Sequence, residues 1–145
     1  MIRFETSEKV KMPPLDIPLV RRWLERVASL HDCRTGQLSY RFCDDDEILA
    51  TNRQFLGHDY FTDIITFDYS KGSFVSGDML ISLDTVKSNS EAVNATYSKE
   101  LHRVIVHGLL HLCGIDDKGP GEREIMERHE NEALSLLDEM AQNCK

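Results

Sequence analysis

Between Leu101 and Asp117 the chain reads LHRVIVHGLLHLCGIDD, and few folds can absorb such a segment. Leu101, Val104, Ile105, Leu109, Leu110 and Leu112 recur at helical spacing with few polar interruptions, which predicts a mostly buried helix over about Ser98 to Cys113. Into that apolar surface the sequence sets two imidazoles. His107 and His111 are four residues apart, so they lie about 40° apart around the axis and about 6 Å apart along it. Gly114 readily takes the left-handed conformation of a helix stop, after which the chain can double back and bring Asp116 and Asp117 toward the same point. Two nitrogens and a carboxylate oxygen, with one position left for water, make a donor set for a catalytic divalent cation, zinc being the first candidate. The competing explanation is a pair of core histidines satisfied by backbone carbonyls, which costs desolvation twice.

The segment is close to the H-E-x-x-H zinc helix of metalloproteases but departs from it. Gly108 stands where that motif carries its glutamate, so the general base of peptide hydrolysis is missing. Cys113 is the remaining soft donor nearby. It falls about 200° around the helix from His111, which directs it into packing rather than toward a metal. Cys33, Cys43, Cys113 and Cys144 form no C-x-x-C pair, and reduced thiols are expected.

With 145 residues, 41% of them hydrophobic and 29% charged, the chain suits one domain, residues 1–145, with one core. Its N-terminus lacks the apolar run of a signal peptide and no segment reaches transmembrane length, so a cytoplasmic location is expected and no membrane partner. A net charge of −8 opposes non-specific attraction to phosphate backbones. Any nucleic-acid contact needs a local basic patch, for which Lys9, Lys11, Arg21, Arg22, Arg26, Arg34, Lys87, Lys99 and Arg103 are the candidates; as a set they read as scattered surface charges.

Taken in order, Ile2 to Thr6 alternates as a strand, and Asp16 caps a helix with Pro18 in its first turn and Val20, Trp23, Leu24, Val27 and Leu30 on one face. Trp23 reads as packing rather than a stacking platform. Leu38 to Cys43 is a second strand, followed by an Asp44/Glu47 capping box and a helix to about Phe55. Thr62 to Phe67 and Phe74 to Leu83 are two further strands, and Asp84 is placed to cap a helix to about Asn94. After the histidine helix, Pro120 suits the start of a last helix bearing Ile125, Met126, Leu134 and Leu137; His129 on it reads as a surface residue.

With those residues in view, the sequence resembles the YbeY family of metal-dependent endoribonucleases implicated in ribosomal RNA maturation. The family pattern H-G-x-L-H-L-x-G-x-D-H is matched by His107, Gly108, Leu110, His111, Leu112, Gly114 and Asp116, and its earlier T-D-V-L-S-F and G-D-I segments by Thr62–Phe67 and by Gly77, Asp78 and Met79. The resemblance implies an α+β fold, in which a small four-stranded mixed, mostly parallel sheet packs against about five helices, one of them a zincin-like metal helix. It also implies a metal site of His107, His111 and Asp117, Asp117 occupying the slot of the family's third histidine. Zinc accepts that set, and so do harder divalent metals such as manganese. Leu56 departs too, standing where the family usually carries an arginine after N-x-x-[YF].

The function implied is hydrolysis of single-stranded RNA, ribosomal RNA above all, by water that the metal activates. The general base is unassigned; Asp78, Glu100 and Asp116 are candidates for supporting or acid–base roles, and Asn52 and Asp63 carry the family match without a derivable role. Three rivals stand beside this reading. One is a zincin-like metallopeptidase, disfavoured by Gly108. Another is a ribosome-biogenesis binding factor with a structural metal, whose partners are small-subunit proteins or an assembly GTPase. The third is a non-haem iron oxygenase, which also uses two histidines and a carboxylate.

Overall fold

The computed structural model describes residues 1–57, 62–116 and 119–143. Among them are four strands, β1 (Ile2–Thr6), β2 (Arg34–Cys43), β3 (Ile64–Asp68) and β4 (Phe74–Ser82), and five α-helices, α1 (Ile17–Leu30), α2 (Asp45–Thr51), α3 (Leu83–Ala92), α4 (Tyr97–Leu112) and α5 (Glu122–Asn143). The sheet order is β1-β2-β4-β3. β1 with β2 and β2 with β4 are parallel, while β3 and β4 form an antiparallel pair. This is the α+β arrangement expected, a mixed and mostly parallel sheet with five helices.

Strand alternation divides the sheet's residues between two faces. Leu38, Tyr40 and Phe42 of β2 and Val75, Met79 and Ile81 of β4 join the main core with α1, α4 and α5. The opposite face carries a smaller cluster of Cys43, Ile48, Ile65 and Leu80 under α2. α4 lies at the centre, touching β3, β4, α1, α3 and α5. Two buried hydroxyl and indole groups tie these layers: the Tyr40 hydroxyl donates to the Ile105 carbonyl at 3.0 Å, and the Trp23 indole N–H to the Ala133 carbonyl at 2.7 Å. Fully buried and fastened at its one donor, Trp23 is packing, as its helical register predicts.

Local signals place most boundaries. The Asp16 side chain accepts from the Leu19 N–H with Pro18 in the first turn, and the Asp44 side chain accepts from Glu47 N–H at 2.9 Å. Only this half of the capping box forms, because the Glu47 carboxylate accepts from Arg41 Nε instead. The helix that follows does not run evenly to Phe55: after Thr51 it widens into a π-helical turn, Asn52–Leu56, closed by Gly57 at φ 67°. Such widened turns collect at functional sites, and this one buries Asn52 and exposes Phe55 and Leu56.

Asp84 does not cap α3. Ser82 does, accepting from Thr85 N–H, and the Asp84 carboxylate accepts the Asp45 N–H at the start of α2. Asp45 in turn accepts from the hydroxyls of Ser82 and Thr85 at 2.6 Å each. The two helix starts thus cap each other, a pairing that no local pattern encodes. α5 begins at Glu122, two residues later than Pro120 suggests, because Gly121 sits in the left-handed region at φ 78°.

His129 is not an open surface residue. It is half-buried, edge-on to His31 with ring centroids 4.9 Å apart. Burial first, and His129 second, hold the His31 pKa below its ordinary value of 6.5, with Glu132 and Asp32 opposing. The folded protein therefore takes up this proton less readily than the unfolded chain does. The stability His31 contributes is complete above pH 6.5 and is lost as pH falls through the lowered folded pKa. The urea midpoint is expected to drop as pH falls below about 6.5, and His31→Gln to flatten that drop. An equally steep drop in the variant would assign the effect elsewhere.

Candidate metal centre

α4 is capped by Thr96, whose side chain accepts from Lys99 N–H, and ends in a complete Schellman stop. Gly114 N–H donates to the His111 carbonyl at 3.0 Å and Ile115 N–H to the Leu110 carbonyl at 3.1 Å, with Gly114 at φ 96°. Between those ends Leu101, Val104, Ile105, Val106, Gly108, Leu109, Leu110 and Leu112 are buried, whereas His107 and His111 are both half-buried. The two imidazoles thus lie one turn apart on the margin of the core. Gly108 between them is not a vacant motif position: a Cβ there would come within 2.9 Å of Ile64 Cδ1 and 3.0 Å of Met79 Cγ. The sheet meets α4 at this residue. Gly77, of the matched G-D segment, serves the same approach, since its Cβ would meet the Phe67 carbonyl at 2.5 Å and Leu112 Cδ1 at 3.3 Å.

The expected third donor, Asp117, lies outside the described residues. Among the described residues no group of three or more His, Cys, Asp or Glu side chains is placed to hold a metal. Asp116 is exposed. Cys113 is half-buried and packs against the core, and burial, with Cys33 alongside, pushes its thiol up to about 12. The described cysteines Cys33, Cys43 and Cys113 are free thiols.

What stands behind His107 is a chain of two buried carboxylates joined by the half-buried Arg103. His107 Nδ1 lies 2.6 Å from Glu130 Oε2, on α5. Glu130 Oε1 accepts from Arg103 Nη1 at 3.1 Å, and Arg103 also donates through Nε and Nη2 to the two oxygens of Glu100. The side chains of Glu100 and Glu130 are only 1% and 3% exposed, so water screens these pairs little. Burial works against the charge on Arg103, yet Glu100 and Glu130 together outweigh it and hold its pKa above the usual arginine value. Asp63, immediately before β3, lies beside this cluster. Its carboxyl is raised above the ordinary range, chiefly by burial, with the neighbouring His107 and Arg103 opposing.

These residues open on a cleft of about 670 Å³ between α3, α4 and α5. Its wall includes Asp63, His107 and Arg103, together with Lys99 and Arg123 at the surface. Arg103 is therefore not a scattered surface charge, and Glu100 is an ion-pair partner rather than a free acid or base. Asp78 is exposed on the face of the sheet opposite to α4, because its neighbours Gly77 and Met79 face the helix. It takes no part in the site. Sequence reasoning missed Glu130. The signal was there: a carboxylate four residues from Met126 and from Leu134, in the apolar stripe of α5.

The donor chemistry of His107 fits a divalent cation. Imidazole nitrogen is a ligand that zinc favours, and a metal-binding histidine ordinarily has its second nitrogen engaged by a carboxylate or carbonyl, as His107 has.

The family model described as endoribonuclease YbeY matches residues 3–138. The endoribonuclease YbeY of Phocaeicola vulgatus is 58% identical over 137 residues, covering 94% of this chain and 99% of that protein. That of Bacteroides fragilis is 56% identical over 130 residues, covering 90% and 94%. A Thermotoga maritima protein of known solution structure superimposes with a TM-score of 0.67 at 27% identity, covering 99% of this chain and 93% of that one. A match over nearly the whole chain, together with a histidine helix seated on a mixed sheet, shows that this protein belongs to the endoribonuclease YbeY family.

Proposed function

We propose that this protein is a metal-dependent endoribonuclease that cuts single-stranded ribosomal RNA during ribosome assembly in the cytoplasm, with zinc or another divalent cation held by His107, His111 and Asp117. The observation that carries this reading is His107, a metal-type imidazole backed by a buried carboxylate, in the wall of a cleft with cationic residues at its rim. The names of the relatives support the RNA substrate and the endonucleolytic reaction.

A divalent cation at this point supplies the Lewis acidity that phosphodiester hydrolysis needs. The chain's own residues do the rest. α4 presents two imidazoles on one margin, its apolar face anchored to β3 and β4, so that the donors do not have to be ordered when a metal arrives. Glu100 and Glu130 neutralise and immobilise Arg103. Lys99 and Arg123, exposed at the rim of the cleft, are left to meet phosphates. Leu56, where the family usually has arginine, is exposed at the end of the π-helical turn and brings no cation, so the rim of the cleft takes on more of the electrostatic attraction.

The direct test is cleavage of an unstructured RNA by purified protein, stripped by chelator and then reloaded with zinc or manganese. Activity that survives stripping, or never returns with either metal, overturns the proposal. For the rim, Lys99→Ala with Arg123→Ala is expected to weaken binding of single-stranded RNA in chelator, largely independent of its sequence. The slope of log K against log salt should fall by about 0.7 for each phosphate contact removed. An unchanged slope would move the RNA path away from this cleft.

A further inference from the structure

We infer that Glu130 is a positioning residue for the metal centre, fixing His107 in the tautomer that presents Nε2 to the cation, and that Arg103 and Glu100 exist in the fold to hold Glu130 in that task. The inference rests on the metal reading above and adds residues from a second helix to it.

A neutral imidazole carries its proton on one nitrogen and its lone pair on the other, and only the lone pair can bind a metal. The tautomer is therefore decided by what the other nitrogen meets. Here Nδ1 meets Glu130 Oε2 at 2.6 Å. A carboxylate accepts and does not donate, so Nδ1 is the N–H and Nε2 the ligand. The carboxylate is itself immobile. Its other oxygen accepts from Arg103 Nη1, and the guanidinium that donates that bond is clamped through Nε and Nη2 by both oxygens of Glu100. Neither Glu130 oxygen can leave its donor without stranding a charge at a site where 3% of the side chain is exposed.

The same arithmetic of charges explains why two buried carboxylates share one half-buried guanidinium. A lone Glu130 would be a buried unpaired carboxylate, and a lone Glu130–Arg103 pair would hold the guanidinium by a single bond. With Glu100 added, Arg103 spans two carboxylates, and the trio carries one net negative charge turned toward His107 and the cation. The arrangement crosses from α4 to α5, 23 residues apart at its His107–Glu130 contact, so correct donor orientation depends on α5 being docked.

Glu130→Gln separates this role from a merely structural one. The amide keeps the shape of the side chain, and Arg103 keeps Glu100, so the remaining pair is balanced and the fold should be retained. Yet Gln has one acceptor oxygen for two donors, and either His107 or Arg103 must then face its NH₂ group. Two measurements follow. In metal-free wild-type protein at mildly alkaline pH, ¹⁵N-detected spectra of the His107 ring should show the proton on Nδ1. In competition with a chromophoric chelator, Glu130→Gln should bind zinc roughly 10- to 100-fold more weakly than wild type, while Glu132→Gln, an exposed carboxylate on the same helix, should not change the affinity. A proton on Nε2 in the wild-type protein overturns the inference, whether or not the variant folds. So does a folded Glu130→Gln with wild-type zinc affinity. Wild-type protein that binds no zinc while His107 still shows Nδ1–H would instead overturn the metal reading and leave the role of Glu130 in fixing the ring standing.

Discussion

Replacing His111 with alanine should lower zinc affinity by about 4 kcal/mol, roughly a thousandfold, and take RNA cleavage down with it. The magnitude follows from dividing the roughly 10–16 kcal/mol of structural zinc-finger sites among their donors, one of which the substitution removes. Stability of the metal-free protein should change little. His111 is half-buried, and α4 is anchored by Leu101, Ile105, Leu109 and Leu110, which the substitution leaves in place. The two readouts oppose the alternative of satisfied core histidines. If His111 serves packing alone, alanine lowers the urea midpoint of metal-free protein and leaves zinc stoichiometry, measured by elemental analysis after gel filtration, at its wild-type value. Asp117→Ala belongs beside it, because the loss of an anionic donor should weaken manganese more than zinc.

The second large effect is expected at Gly108. Writing the protease glutamate into this helix, Gly108→Glu, should cost at least about 4 kcal/mol and produce no peptidase, since a carboxylate would be driven against the core without a partner. The reason is geometric. The position of a Cβ is already within 2.9 Å of Ile64 Cδ1 and 3.0 Å of Met79 Cγ, and the residue faces the sheet rather than the cleft. Gly108→Ala separates volume from charge. Overpacking costs about 1–3 kcal/mol, and relief of glycine's poor helix propensity returns about 1 kcal/mol, so a modest net loss is expected. Urea denaturation of the two variants measures both. A Gly108→Glu protein as stable as wild type would mean that α4 does not sit this close to β3 and β4.

The glycine also shows how far a sequence argument reaches. Its presence in place of a glutamate is readable at once and argues against peptide hydrolysis. Why a glycine stands there is a matter of helix-to-sheet distance, and that distance belongs to no local stretch of chain. The Asp84 cap makes the same point. Both Ser82 and Asp84 are good capping residues, and what decides between them is Asp45, which lies 37 residues before Ser82 and needs Asp84 for its own helix start.

For this protein the chain alone determined whatever depends on neighbours in sequence. The strand Ile2–Thr6, the helix start at Asp16, the helical register that puts His107 and His111 on one margin, and the stop at Gly114 are each set by a few adjacent residues and the steric rules of the backbone. The family motifs were legible for the same reason. Only the tertiary structure decided which charges are buried and with whom. Glu100 and Arg103 resemble ordinary surface residues of charged helices until α5 is laid over α4. A buried ion is stable only with its partner beside it; the apolar stripe of α5 marks Glu130 as facing inward, but its partner Arg103, 27 residues away along the chain, is brought near only by the packing of α5 on α4.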